Sequence, residues 1–186
     1  MAQERKFVSR AGYKLDHALE AFKIDVTGNV CADLGCSTGG FTDCLLQRGA
    51  KRVYAVDTGY GVLDWKLRND ARVIVLEKQN ALHVELPELI DFIVIDVGWT
   101  PQARIVPVAL RLLKPGGSIV SLMKPHYEAT KQLRKGKIPE SVLPEIMRHV
   151  TAQLEKLGAK VTDTIQSPLI GEKGSNIEFL ILLKKV

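Results

Sequence analysis

Apolar residues recur along this chain in two rhythms. Between residues 9 and 22, Ala11, Leu15, Ala18, Leu19 and Phe22 fall at the three-and-four spacing of an amphipathic helix. Ser9 stands where an N-cap is expected. A turn at Val26-Thr27-Gly28-Asn29 then leads to the apolar run Val30 to Leu34, which has strand length and ends at Gly35. From there the two kinds of run alternate: a helix from about 41 to 48, a strand at 52–56, a helix around 62–68, and strands at 73–76 and 92–95. A helix near 103–113 is stopped by Lys114-Pro115-Gly116-Gly117. The strand 118–123 and a helix from about 141 to 157 follow. Two strand-like runs, 160–165 and 177–183, close the series, separated by a loop with Pro168, Gly171 and Gly174.

Strands that alternate with helices join in parallel through right-handed crossovers. The pattern therefore predicts an α/β fold, a mostly parallel seven-stranded sheet with helices on both faces. The last two strands have no helix between them and are expected to form an antiparallel hairpin at one edge. No internal repeat or low-complexity segment interrupts the series. At 186 residues the chain is read as one domain, residues 1–186, with a short N-terminal helix. A domain of that size buries roughly 70% of the surface its unfolded chain exposes.

Composition narrows the classes. Hydrophobic residues make up 46% of the chain and charged residues 25%, near the globular averages, which argues against long disorder. No apolar run approaches the roughly 20 residues of a membrane span. The start, Met1-Ala-Gln-Glu-Arg-Lys-Phe7, has no basic-then-apolar leader. Cys31, Cys36 and Cys44 form an odd set without metal-ligand spacing, and are expected to be reduced thiols in a cytoplasmic protein. The net charge of +5 leans mildly toward a polyanionic partner. Lys131, Arg134, Lys135 and Lys137 crowd one stretch, and Arg5, Lys6, Arg10 and Lys14 another. Each cluster is either a grip on phosphates or a solvated face.

Candidate chemistry gathers at strand ends, where open α/β sheets bind their ligands. The first strand delivers Asp33-Leu34-Gly35-Cys36-Ser37-Thr38-Gly39-Gly40-Phe41 to that place. Glycines at 35, 39 and 40 let the backbone turn sharply and pass close to a ligand. The loop is not the G-x-G-x-x-G dinucleotide fingerprint, because position 37 is Ser, and no Lys-Ser/Thr pair makes it a P-loop. An acid ahead of the first glycine suits a ligand with an ammonium group, and S-adenosylmethionine carries both an amino group and a sulfonium. The second strand ends at Asp57, placed to accept hydrogen bonds from a ribose diol, and the third is followed by Asn80, which could read an adenine edge. A tight turn with a helix cap at Asp57, or an NAD site, accounts for fewer of these residues.

Further along stand Ser9-Arg-Ala-Gly-Tyr-Lys14, Val94-Ile-Asp96, Leu122-Met-Lys124-Pro125 and Asn176-Ile-Glu178. Together with Asp33 to Phe41, this set resembles the FtsJ-type ribose methyltransferases. More closely it resembles the methyltransferase domain of the TlyA family of ribosomal RNA methyltransferases, long called haemolysins. The resemblance runs from about Phe7 to Leu183 and is most specific over residues 37–47. It implies a Rossmann-like class I fold, S-adenosylmethionine as cofactor, and RNA, above all ribosomal RNA, as the substrate methylated on a ribose 2′-oxygen. Cofactor contacts are implied for Asp33, Gly35, Ser37, Gly39, Gly40, Phe41, Asp57, Asn80 and Asp96. A catalytic tetrad is implied at Lys14, Asp96, Lys124 and Glu178, with no metal. The family's S4-type RNA-binding domain is expected to be absent, since the resemblance begins almost at Met1. Gly98-Trp99 stands where the family has a Ser-Phe pair.

Such a tetrad suits the reaction. A ribose hydroxyl is a poor nucleophile and must be aligned with the methyl group at roughly 3–3.5 Å. It must also lose its proton. Lys14 disfavours charge on Lys124 whereas Asp96 and Glu178 favour it, so Lys124 is read either as the base or as an orienting cation. Glu178 is expected inside the last apolar strand, where an unpaired carboxylate would be costly. Trp99 either stacks an unpaired base or packs on the sheet. His126 and Tyr127 either contact RNA or pack their loop, and Trp65 is expected in the core. Two other functions fit the same fold: a non-catalytic RNA- or ribosome-binding module, and a small-molecule methyltransferase. A membrane-damaging role finds no spanning segment.

Overall fold

The computed structural model describes residues 6–129, 138–171 and 176–186. The basic stretch around Lys131 to Lys137 lies outside the described residues. Seven strands make one sheet: β1 (Val30–Leu34), β2 (Arg52–Val56), β3 (Val73–Leu76), β4 (Ile90–Ile95), β5 (Leu113–Met123), β6 (Ala159–Gln166) and β7 (Phe179–Lys185). Their order is β3-β2-β1-β4-β5-β7-β6. β1 to β5 pair in parallel, and β7 runs antiparallel to both β5 and β6. The α/β sheet with an antiparallel edge hairpin is therefore the one the alternation predicts. Strand order reverses between β1 and β4, and a crevice opens at the carboxyl ends of these strands.

Helices α1 (Ala11–Ala21), α2 (Gly40–Gln47), α3 (Trp65–Arg68), α4 (Gln102–Leu112), α5 (Pro125–Glu128) and α6 (Leu143–Lys156) cover the sheet. Side chains alternate between its faces. Val30, Ala32 and Leu34 of β1 pack with Ile105 and Ala109 of α4 and Val150 and Leu154 of α6. Cys31 instead joins Leu15 and Leu19 of α1 and Phe41 and Leu45 of α2. A strand covered on both faces reads as a continuous apolar run, as β1 does apart from one residue. That residue is Asp33. Among the described residues no helix is long and apolar enough to cross a membrane.

Several local expectations are corrected. Ser9 does not cap α1: Arg10 holds the N-cap position without a side-chain bond. The Ser9 hydroxyl instead lies where a Cβ on Gly40 would be, 2.2 Å away, wedged between α1 and α2. The helix expected at 62–68 shrinks to the single turn α3, capped by Asp64 on the Lys66 amide. In that turn Leu67 goes to the core while Trp65 is 75% exposed, against the expectation for Trp65. β5 begins directly after α4, taking in Lys114 to Gly117 through a register shift between Ile90 and Phe92 on β4. Glu178 immediately precedes β7 rather than lying within it.

The N-terminal segment is pinned by close packing. Phe7 is 2% exposed, and a Cβ at Gly12 would lie 2.4 Å from its ring. Helix propensity alone would favour alanine at Gly12 by about 1 kcal/mol. Forced displacement of a buried ring costs about 1–3 kcal/mol. With three Phe7 atoms within 2.7 Å of that Cβ the upper end applies, a net cost of about 2 kcal/mol. Gly12→Ala is therefore expected to lower Tm by about 4–8 °C in a thermal melt, at about 2–4 °C per kcal/mol for a chain this long. A Tm equal to or above that of the unaltered protein would contradict this packing.

Candidate active site

The carboxyl ends of β1, β2, β4 and β5, with the first turn of α1, enclose a cavity of about 670 Å³. Asp33, Gly35, Ser37, Phe41, Asp57, Asn80 and Asp96 line it, and so do Lys14, Lys124 and Glu178. Ten of the twelve residues singled out in the sequence thus face one space. Gly39 and Gly40 do not line it. They are glycines for packing reasons: a Cβ at Gly39 would strike Leu67 and Leu63, and one at Gly40 would strike Ser9 and the Gly12 amide. Gly35 does lie on the cavity wall. At φ 92° its Cβ would come within 2.6 Å of the Asp96 carbonyl oxygen, so only glycine lets β1 and β4 approach there.

Asp33 is 0% exposed. Its Oδ2 accepts a 2.7 Å hydrogen bond from the Thr42 hydroxyl on α2, while Oδ1 has no hydrogen-bond partner among the described residues. Burial, reinforced by the carboxylates of Asp96 and Asp57, pushes its pKa from 3.8 to about 7 against the opposing bonds from Thr42. At the end of β2, Asp57 accepts from the Ser37 amide at 2.8 Å and the Gly59 amide at 2.7 Å. It is thereby fixed with its carboxylate at the cavity wall. Asn80 caps a turn of 3-10 helix by accepting from the Leu82 amide.

Two ion pairs meet at the other end of the cavity. Lys124 donates to Asp96 Oδ1 at 2.5 Å, joining the ends of β5 and β4. Lys14 donates to Glu178 Oε2, also at 2.5 Å, with side chains only 8% and 5% exposed. This second bond ties α1 to the start of β7, across 164 positions of sequence. Burial by itself would lower the pKa of Lys124. Asp96, through both charge and hydrogen bond, and Glu178 outweigh it, so the net shift is upward and the ammonium stays protonated at neutral pH. Beside the pair, Trp99 is 81% exposed at φ 56° and packs on Tyr127, with ring centroids 5.4 Å apart. His126 Nδ1 is buried without a hydrogen-bond partner among the described residues, and burial lowers the pKa of this imidazole.

Two supporting residues escape the sequence reading. Thr42 holds Asp33, although nothing in its position within an apolar helix signals that role. Gln102 is 3% exposed and braces the end of β5 by accepting from the Ser121 hydroxyl at 2.7 Å. A polar residue opening an amphipathic helix resembles an ordinary surface position in sequence.

Asp33 sets a pH dependence whose sign is fixed. Its folded pKa lies above the unfolded value, so between pH 3.8 and about 7 the folded chain holds a proton that the unfolded chain has lost. Stability from this group therefore falls as pH rises through that window. The full gap corresponds to roughly 4 kcal/mol. Asp33→Asn keeps the shape and the acceptor for Thr42 but carries no charge. It is expected to raise Tm by several degrees at pH 8 and to have little effect at pH 5. Equal changes in Tm at the two pH values would rule out a charged, unsatisfied Asp33.

Comparison with known proteins identifies the family. The model of the FtsJ-like methyltransferase family matches residues 7–185. Hemolysin A of Brachyspira hyodysenteriae is 40% identical over 97% of this chain and 78% of its own length. The 16S/23S rRNA (cytidine-2′-O)-methyltransferase TlyA of Mycobacterium tuberculosis is 41% identical over 97% of this chain and 69% of its own. The solved structure of a candidate hemolysin from Streptococcus thermophilus superimposes with a TM-score of 0.94 at 39% identity, over all of this chain and 70% of that one. With the family match spanning residues 7–185, the chain belongs to the FtsJ-like methyltransferases, whose methyl donor is S-adenosylmethionine.

Proposed function

We propose that this protein transfers the methyl group of S-adenosylmethionine to the 2′-oxygen of a ribose in ribosomal RNA. The observation that carries the reading is the meeting of two lysine–carboxylate pairs in the cavity that also holds the half-satisfied Asp33. The named substrate of the Mycobacterium tuberculosis relative supports the choice of ribosomal RNA. The reading implies a cytoplasmic enzyme.

The residues present fit the cofactor. The orphaned Oδ1 of Asp33 would hold its ammonium group, which would also favour the ionised carboxylate over the protonated form that burial promotes. Asp57 would accept from the ribose hydroxyls, and Asn80 and Phe41 would bound the adenosine end. When bound, S-adenosylmethionine supplies an electrophilic methyl group that needs no further activation.

The chain's own residues then have two tasks. Lys124, held protonated beside Asp96, faces the hydroxyl hydrogen of the attacking nucleotide, which leaves a lone pair of the 2′-oxygen aimed along the line of transfer. As the oxygen gains the methyl group its proton becomes acidic, and the Lys124–Asp96 pair takes it as one unit. Lys124 passes a proton along the 2.5 Å bond to Asp96 and receives the hydroxyl proton in return. Lys14 and Glu178 position this pair and supply the second carboxylate that keeps Lys124 charged. The exposed Trp99 and the half-buried Tyr127 packed on it border the same space, which suits the base of the target nucleotide.

The test is transfer of a labelled methyl group to ribosomal subunits and to naked total RNA, followed by digestion to nucleosides. Label is expected in a 2′-O-methyl nucleoside. Lys124→Ala should lower the transfer rate by about 10²- to 10⁴-fold, while S-adenosylmethionine binding stays near its original strength. Label on a base atom, or full activity in Lys124→Ala, would contradict the mechanism.

A further inference from the structure

The loop after β2 carries two aromatic rings on the outside of the protein. Tyr60 is 74% exposed and Trp65 75%, whereas Phe7, Phe41 and Phe92 are all within the core. This loop is firmly braced. Asp57 accepts from the Gly59 amide, the Lys78 amide donates to the Gly59 carbonyl, and the Asp64 amide donates to the Thr38 carbonyl. Glu77 is ion-paired with Arg68, and this pair together with the nearby Gly61 and Leu63 amides holds its carboxyl below the usual range. Leu63 and Leu67 anchor the segment in the core at 4% and 1% exposure. The rings are therefore held out by a framework.

Formal charges on this segment balance, four acids against four bases, but their partners differ. The acids are engaged: Asp57 on two backbone amides, Asp64 on the Lys66 amide, Glu77 with Arg68, and Asp70 with Arg72. Lys66 and Lys78 are exposed and make no ion pair among the described residues. Lys78 lies 4.3 Å from the centre of the Tyr60 ring, at a φ of 56° that is unfavourable for a residue with a side chain. Exposed π faces beside ammonium groups fit single-stranded nucleic acid, whose bases stack and whose phosphates pair with cations. The face adjoins the cavity at its Asp57 end, because Asp57 and Thr58 line that cavity just ahead of Tyr60, while Lys124 and Asp96 stand at the other end.

We propose that Tyr60, Trp65, Lys66 and Lys78 form a landing surface for the RNA strand that flanks the target nucleotide. The proposal rests on the reading of the cavity as an RNA methyltransferase site, and it assigns RNA contacts to residues outside the tetrad and outside the cofactor contacts.

The experiment measures binding of a short labelled single-stranded RNA and of total ribosomal RNA to the full chain over a range of salt. Tyr60→Ala, Trp65→Ala and Lys78→Gln are compared with the unaltered protein, and S-adenosylmethionine binding is measured alongside. Loss of each ring is expected to weaken RNA binding by about five- to a hundredfold. Lys78→Gln should reduce the slope of log affinity against log salt by about 0.7–1. Cofactor affinity should not change in any variant. RNA affinity and salt slope that stay unchanged in the variants, while the unaltered protein binds RNA, would overturn this proposal alone. Variants that alter self-association in sedimentation but not RNA binding would mark the face as a protein interface, and would also overturn it. An unaltered protein that binds S-adenosylmethionine but no RNA would overturn the RNA reading itself, and the landing surface with it.

Discussion

Asp33 occupies the fourth position of a five-residue strand buried on both faces, and one of its oxygens has no hydrogen-bond partner among the described residues. A carboxylate in that position opposes folding unless it takes up a proton or a cation. Its neighbours intensify the constraint, because Asp57 and Asp96 end the adjacent strands and add negative charge. Gly35 cannot carry a side chain where β1 meets β4, and Thr42 turns its hydroxyl from α2 into the sheet. These features are consistent with a crevice shaped to receive a positively charged ligand, at some expense to the stability of the free protein. Functional sites are where such conflicts between local stability and fold are expected.

The second constraint is the Lys14–Glu178 pair. Removing two charges from water costs several kcal/mol per ion, and a buried pair is a weak source of stability. This pair instead fixes geometry. It brings the first helix against the start of the last strand, so that α1 and β7 close over the end of the cavity where Lys124 and Asp96 meet. Glu178 also adds to the field that keeps Lys124 protonated. Two cations and two carboxylates in register favour orientation and concerted proton movement over a single strong base.

Much of this was legible in the sequence. The alternation of apolar runs gave the strands and their parallel pairing, because a strand buried on both faces has few other readings. Asp57 and Asp96 stood out as acids closing apolar runs, and Asp33 as an acid inside one. What periodicity does not encode is which neighbour leans on a given position. Gly39 and Gly40 read as room for a ligand, but their space is taken by Leu63, Leu67 and Ser9. Trp65 read as core by composition, yet a single helical turn buries only one of its apolar residues, and Leu67 takes that place. Glu178 read as a strand residue because apolar residues follow it, whereas the ladder with β5 begins at Phe179. Thr42 and Gln102 acquire their roles only through contacts from a helix to a strand distant in sequence.

The most direct test of the account is calorimetric titration of S-adenosylmethionine into the protein across pH, in buffers of different ionisation enthalpy. If Asp33 is the seat of the ligand's ammonium group, binding must ionise a carboxyl whose pKa in the free protein is about 7. The account predicts release of close to one proton at about pH 6 and almost none at about pH 8, with affinity falling toward tenfold per pH unit below neutrality. Affinity that is flat across this range, with no proton released, would contradict it.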